Sequence, residues 1–231
     1  NDENIAWKTK IPEGLSSPVI FGQKIFLTGI RKDRLITLCF DTENGNILWE
    51  RIAPKTPIEK VHATSSPAAS TPFVDSKQVY VYFGSYGLLC YDHNGQKQWE
   101  VPIPTPKSLY GMSTSPIGYK QTIILVIDND SNLPGSRLSQ SKIIAFNKDN
   151  GQSKWSVSRP HHRSGWSTPT IWHKEKNDEL IVLGNERVRS YNPDTGTEKW
   201  FVGGFSRETI AVPVVGKEHV YISSAQLGGG A

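Results

Sequence analysis

One phrase recurs four times in this chain of 231 residues. It runs aromatic residue, Asp or Asn, a short polar turn, Gly, three residues, Trp. The copies are Phe40-Asp41 through Gly45 to Trp49, Tyr91-Asp92 through Gly95 to Trp99, Phe146-Asn147 through Gly151 to Trp155, and Tyr191-Asn192 through Gly196 to Trp200. The step from Gly to Trp is four residues in every copy. Self-similarity at a period of roughly 45 to 55 residues marks a chain built from stacked supersecondary units, none of which buries its apolar faces alone.

Each unit reads as four short strands. A small polar stretch ending in Pro opens it: Ser16-Ser17-Pro18, Ser70-Thr71-Pro72, Thr114-Ser115-Pro116 and Ser167-Thr168-Pro169. An apolar strand follows each Pro, then a second, such as Gln78 to Phe83 or Glu179 to Leu183, and a third, such as Lys142 to Phe146. These segments are rich in Val, Ile, Tyr and Phe and bounded by turn residues, with no helical period. The tight turn before the fourth strand needs positive φ at one position, which Gly accepts without steric cost. The Asp or Asn that starts the turn closes it by accepting backbone N–H bonds. Trp then supplies a large apolar surface for the gap between neighbouring sheets, with an N–H free to find a carbonyl. Radial stacking of such sheets buries both faces, so the expected fold is an all-β propeller of four-stranded antiparallel blades.

The expected organisation is a single propeller domain or fragment over 1–231: a lone outer strand at 1–10 around Trp7, blades at 16–52, 70–102, 114–158 and 167–203, and the start of a further blade at 210–231. The lone first strand and the partial last blade are expected to belong to a longer ring. Net charge is +4 with the basic residues scattered, so a nucleic-acid surface is not expected. No apolar run reaches membrane-spanning length. Cys39 and Cys90 occupy one repeat column, two residues before Asp41 and Asp92, where the other copies hold Ala145 and Ser190. A column of small residues is a packing requirement, and the thiols are expected to behave as buried small hydrophobes.

The fourfold phrase resembles the tryptophan-docking repeat of the quinoprotein-type propellers. That superfamily holds the pyrroloquinoline-quinone (PQQ) alcohol dehydrogenases and many noncatalytic PQQ-like repeat proteins, among them the propeller lipoprotein of bacterial outer-membrane assembly. The resemblance covers essentially the whole chain. It implies a ring of seven or eight blades, of which this chain would be an incomplete segment. It also implies a periplasmic or secreted bacterial protein, with a lipid anchor outside this chain as one option. His62 to Pro72 followed by Val79 to Gly87 is particularly similar to PQQ-like repeat proteins of exported type. On this resemblance Asp41, Gly45, Trp49, Asp92, Gly95, Trp99, Asn147, Gly151, Trp155, Asn192, Gly196 and Trp200 are the structural repeat residues. The catalytic branch of the family uses an adjacent cysteine pair, a stacking Trp and a calcium held by Glu, Asn and Asp beside a catalytic Asp. This sequence has no adjacent cysteines, so no catalytic residue and no cofactor is expected. PQQ with calcium belongs only to the alternative reading, a PQQ-dependent or degenerate quinoprotein oxidoreductase.

Loops joining the fourth strand of one blade to the first of the next all emerge on one face, a favoured place for ligands. In this chain they carry His62, Ser65, Tyr110, Arg163, Trp166 and Arg207. Aromatics beside Arg are hot-spot chemistry for a protein or an anionic small ligand. The leading expectation is therefore a noncatalytic binding or scaffold propeller that presents its loop face to a protein or small molecule. An extracellular sugar-binding or sensing propeller is the third option. In Asp128-Asn129-Asp130-Ser131-Asn132, alternating carboxylate and amide oxygens make Asp128, Asp130 and Asn132 candidate ligands for a hard cation. The plainer reading of the same stretch is a solvated loop between the second and third strands of its blade.

Overall fold

The computed structural model describes residues 3–130, 133, 138–160, 165–184, 186–206 and 209–224. The chain divides into two compact units, Asn1–Thr105 and Pro106–Ala231. In the first, β1 (Val19–Phe21), β2 (Lys24–Arg31), β3 (Arg34–Asp41) and β4 (Ile47–Ile52) form one antiparallel sheet, in that order. A second follows from β5 (Phe73–Val74), β6 (Gln78–Phe83), β7 (Gly87–Asp92) and β8 (Lys97–Pro102). The other unit holds a third sheet, β9 (Ile117–Tyr119), β10 (Thr122–Ile127), β11 (Lys142–Asn147) and β12 (Ser153–Ser158). Its fourth sheet is β13 (Thr170–Trp172), β14 (Glu179–Gly184), β15 (Arg187–Tyr191) and β16 (Glu198–Gly203), followed by the two-stranded pair β17 (Val214–Val215) and β18 (Val220–Tyr221). Each opening strand begins at the residue after the Pro of its Ser/Thr-Pro signal. Helix is confined, among the described residues, to one 3-10 turn at Leu138–Gln140.

The turn chemistry is the same four times. Asp41, Asp92, Asn147 and Asn192 each accept, on Oδ1, the backbone N–H two residues on, at 2.7–2.8 Å. The four glycines that follow have φ of +71, +79, +71 and +76°. The small-residue column lies directly opposite the Trp column, pairing Cys39 with Trp49, Cys90 with Trp99, Ala145 with Trp155 and Ser190 with Trp200. The pairing register slips immediately after each of these small residues. A bulge here lets the hairpin turn while the indole points out of the sheet toward its neighbour.

Within each unit, adjacent sheets stack face to face. Phe26, Leu35, Cys39 and Trp49 of the first sheet pack with Val79, Val81, Phe83, Leu89 and Tyr91 of the second. Ile124, Val126, Ile143 and Ala145 of the third pack with Leu180, Val182 and Tyr191 of the fourth. Every residue of β10 and of β14 is buried, the pattern of a strand covered on both faces.

The indoles join the sheets. Trp49 Nε1 donates to the His93 carbonyl at 3.0 Å, and Trp155 Nε1 to that of Pro193 at 3.2 Å. A Cβ on Gly95 would lie 2.7 Å from the Trp49 ring, and one on Gly196 would lie 2.6 Å from that of Trp155. These glycines are therefore fixed twice, by positive φ and by an indole where a side chain would be. Residues 5–10 form no strand, in contrast to the expected outer strand. Trp7 nonetheless donates to the Thr42 carbonyl at 2.9 Å and covers Gly45. Trp99 lies on β8 with its ring 5.9 Å from that of Tyr80. Trp200 departs from the pattern and donates to Glu179 Oε2 of its own sheet at 2.7 Å.

The Ser/Thr column before each Pro also holds sheets together. Thr71 Oγ1 accepts from the Ser17 N–H at 2.9 Å, and Thr168 Oγ1 from that of Ser115 at 3.1 Å.

Candidate functional site

Antiparallel order places the start of β9, the end of β10, the start of β11 and the end of β12 at one end of the third sheet. Three connecting segments of the second unit meet there, in their described parts: 106–116, 128–130 with 138–141, and 159–160 with 165–169. A polar network ties them. The Asp130 N–H donates to the Lys107 carbonyl at 2.6 Å, and the Lys107 N–H to Asn129 Oδ1 at 2.9 Å. Ser141 links the other pair: its Oγ accepts from the Asn129 N–H at 2.8 Å and its carbonyl from the Arg159 N–H at 2.8 Å.

Beneath these loops lies a buried ion pair. Arg159 donates from Nε and Nη2 to the two carboxylate oxygens of Asp128 at 3.0 and 3.1 Å, and from Nη1 to the Tyr191 hydroxyl at 2.9 Å. Both charged side chains are essentially inaccessible, at 1% and 0% exposure. Burial raises the pKa of the Asp128 carboxyl, opposed by the guanidinium and by the Gly165 N–H. Two parallel N–H···O bonds are the geometry of a charged pair. At Asp128, Asn129 and Asp130 the structure differs from both readings of the acidic stretch. Asp128 already has a cation, Arg159, and Asp128, Asn129 and Asp130 are buried at 0, 3 and 1%, not solvated. Among the described residues no group of three or more His, Cys, Asp or Glu is placed to hold a metal. Asn132 lies outside the described residues.

Above the pair, Tyr110 and Trp166 meet edge to face with ring centroids 5.1 Å apart. Trp166 Nε1 donates to Ser108 Oγ at 3.2 Å, and Ser108 Oγ in turn donates to the Gly111 carbonyl at 3.0 Å. Ser113 and Thr114 hydroxyls donate to the carbonyls of Trp166 and Gly165. Both rings are partly exposed, and Leu109 beside them is 44% exposed. The result is an aromatic surface on loops whose backbones are held from below, with amphipathic rings that lose little rotamer entropy on contact.

The structure thus brings together two of the six expected ligand residues. His62 and Ser65 share a turn in the first unit: the Ser65 N–H donates to the His62 carbonyl at 2.9 Å, and His62 Nδ1 meets Thr64 Oγ1 at 2.9 Å. Arg163 and Arg207 lie outside the described residues.

The adjacent cysteine pair that a PQQ site implies has no counterpart. Cys39 on β3 and Cys90 on β7 stand on different sheets, each free, buried and facing a Trp across its hairpin. Burial pushes the Cys39 thiol up to about 11 and raises that of Cys90 as well. These thiols do not fit that cofactor.

A second polar cluster, not read from the sequence, lies at the other end of the fourth sheet. Glu179 is 6% exposed and accepts from Ser190 Oγ at 2.6 Å, Trp200 Nε1 at 2.7 Å and Lys174 Nζ at 3.0 Å, with Lys199 Nζ at 3.4 Å. Burial alone would raise its pKa, but the bonds from Ser190, Lys174 and Trp200 and the charge of Lys199 hold it at about 2. A cavity of about 520 Å³ opens beside it.

Residues 1–115 match the family described as outer membrane protein assembly factor BamB. No curated protein sequence matches the chain. Among solved structures it is similar to BamB from Moraxella catarrhalis, at 14% identity over 94% of this chain and 59% of that one, with a TM-score of 0.60. It is also similar to the quinohemoprotein alcohol dehydrogenase of Comamonas testosteroni (14% identity, 90% of this chain, 38% of that one, TM-score 0.63). The quinohemoprotein alcohol dehydrogenase ADHIIG of Pseudomonas putida HK5 gives 14%, 86%, 35% and 0.59 in the same order. The chain spans less than two thirds of each of these proteins. The likenesses show the fold, a β-propeller architecture of four-stranded antiparallel blades. No helix among the described residues is long and apolar enough to cross a membrane. The fourfold repeat, the blades and the match of residues 1–115 to the BamB model support a PQQ-like β-propeller repeat family for this chain.

Proposed function

We propose that this chain is a noncatalytic binding propeller, part of a periplasmic or secreted protein, whose loop face takes a polypeptide or small ligand at Tyr110 and Trp166. The observation that carries this reading is the edge-to-face aromatic pair, held at 5.1 Å on loops anchored by a fully buried Arg–Asp pair. Partly exposed aromatics on a rigid base are the usual anchors of binding surfaces. The family description, an outer-membrane assembly factor, supports an exported binding role. The thiol geometry favours this over PQQ-dependent oxidation, in which no step can be assigned to the residues present.

The test is a panel of random peptides and of glycans presented to the chain and to Trp166→Ala. Peptide ligands that lose about tenfold or more in affinity on Trp166→Ala, with unchanged circular dichroism, are the expected result. Ligands confined to glycans would favour the sugar-binding alternative. Dye reduction after addition of PQQ and calcium would overturn the noncatalytic assignment.

A further inference from the structure

One cross-strand pair in the fourth sheet inverts the pattern of the other three. One residue beyond the Trp column the outer strands carry Glu50, Glu100, Ser156 and Phe201. Directly opposite, on the third strands, stand Leu38, Leu89, Ile144 and Arg189. In the first three sheets the inner residue is apolar and buried, at 0, 0 and 9% exposure, and the outer one is polar. In the fourth, a charged residue takes the apolar column, with its side chain 11% exposed, and an aromatic ring lies outside, 53% exposed.

The ring is flanked by two guanidiniums. The guanidinium carbon of Arg189 lies 4.9 Å from the Phe201 ring centroid and that of Arg187 5.2 Å, both within cation–π range. Side chains alternate along β15. Tyr191 packs against the third sheet and Val188 against β17 and β18, so Arg187, Arg189 and Phe201 lie on the Tyr191 side. The joint on that side is made by two four-stranded sheets. Positive charge is left over there. Arg189 Nη1 donates to Glu198 at 2.6 Å, while its Nε–H is buried without an acceptor among the described residues. The exposed guanidinium of Arg187 makes no hydrogen bond or ion pair among the described residues. Placing Arg189 where the repeat packs Leu or Ile gives up apolar burial and strands a donor. A fold tolerates such a local breach of its own pattern chiefly at functional sites.

We infer that Arg187, Arg189 and Phe201 form a docking platform for an acidic segment of a partner polypeptide, with a carboxylate on the guanidinium pair and a neighbouring apolar side chain on the ring. Two guanidiniums against one carboxylate favour a further anion, and Arg offers it paired donors. A bare anion leaves the exposed ring unused, whereas aromatic and Arg side chains together are what interface hot spots are made of. The platform is separate from the Tyr110–Trp166 surface and does not rest on that reading.

The probe is an end-blocked hexapeptide alternating glutamate and leucine, titrated calorimetrically into the chain beside its lysine–leucine counterpart. Saturable binding of the glutamate peptide alone is expected, weakened about tenfold or more by Arg187→Glu and by Phe201→Glu. The double variant Arg189→Leu with Phe201→Glu restores the pattern of the first two sheets. It should unfold at a higher denaturant concentration than the parent and yet lose binding to the same degree, which separates loss of the site from loss of the fold. No saturable heat, equal binding of the lysine peptide, or undiminished binding by the double variant would each overturn the assignment. So would a lower unfolding midpoint for that variant, or binding lost with Trp166→Ala and kept with Phe201→Glu. Binding of phosphatidylglycerol vesicles in place of the peptide would overturn the polypeptide as occupant.

Discussion

Trp49 and Gly95 occupy one volume: the indole fills the space where a Cβ on the glycine would lie 2.7 Å away, and its Nε1–H closes on the neighbouring His93 carbonyl at 3.0 Å. The two residues belong to different copies of the repeat, and their contact seals the first sheet against the second. Trp49 is 8% exposed and touches the cluster formed by both sheets. Trp49→Ala should lower the free energy of unfolding by about 3–5 kcal/mol, the usual range for truncating a buried Trp. Urea denaturation followed by circular dichroism measures it. A loss below about 1 kcal/mol would remove the indole from the list of residues that hold the sheets together.

Asp128 and Arg159 satisfy one another where no water reaches. Removing one partner leaves an uncompensated buried charge, so Asp128→Ala should cost about 3–5 kcal/mol. The double replacement Asp128→Leu with Arg159→Met removes both charges together and should cost less than Asp128→Ala. Chemical denaturation of the two variants beside the parent decides it, and equal losses would mean the pair is not the unit that matters.

Glu179 gives the chain an acid-sensitive element. Its folded pKa of about 2 lies below the ordinary 4.5, so its contribution is complete above about pH 4.5 and is lost as pH falls toward 2. Glu179→Gln should therefore be less stable than the parent at neutral pH and should lose less stability between pH 5 and pH 2. Thermal melts across that range test this. Parallel curves for the two proteins would exclude Glu179 as the source.

Both thiols should resist modification in the folded chain. Cys39 and Cys90 are each at 0% exposure, and burial raises both pKa values. Reaction with an aromatic disulfide reagent at pH 8 should be negligible until denaturant is added, when two thiols per chain should react. Rapid labelling in native buffer would contradict the packing assigned to the small-residue column.

What the residues announce in advance is what depends on neighbours in sequence. The Asx bonds, the glycine turns and the strand after each Pro follow from local chemistry, and their fourfold recurrence makes them legible. The reason for the small column became visible only in the register, where Cys39 faces Trp49 across a hairpin. The acidic stretch was misread because its partner, Arg159, lies 31 residues from Asp128, and nothing local signals a guanidinium. Glu179 was missed for the same reason: its donors come from Lys174, Ser190, Lys199 and Trp200, on one loop and two strands. Tyr110 and Trp166 could be singled out as loop aromatics, but their meeting requires two loops to be laid side by side.

The most direct test of how this propeller is held together is a double-mutant cycle on Trp49 and Gly95. In the parent, Gly95→Ala must both strain a backbone at φ +79° and drive a methyl group into the indole. With Trp49→Ala already in place only the backbone strain, of order 1–3 kcal/mol, remains. The two substitutions should therefore be coupled by about 1 kcal/mol or more, with the alanine at 95 costing less in the Trp49→Ala background. Strict additivity, within about 0.3–0.5 kcal/mol, would contradict the seating of the Trp49 indole on the next sheet's glycine.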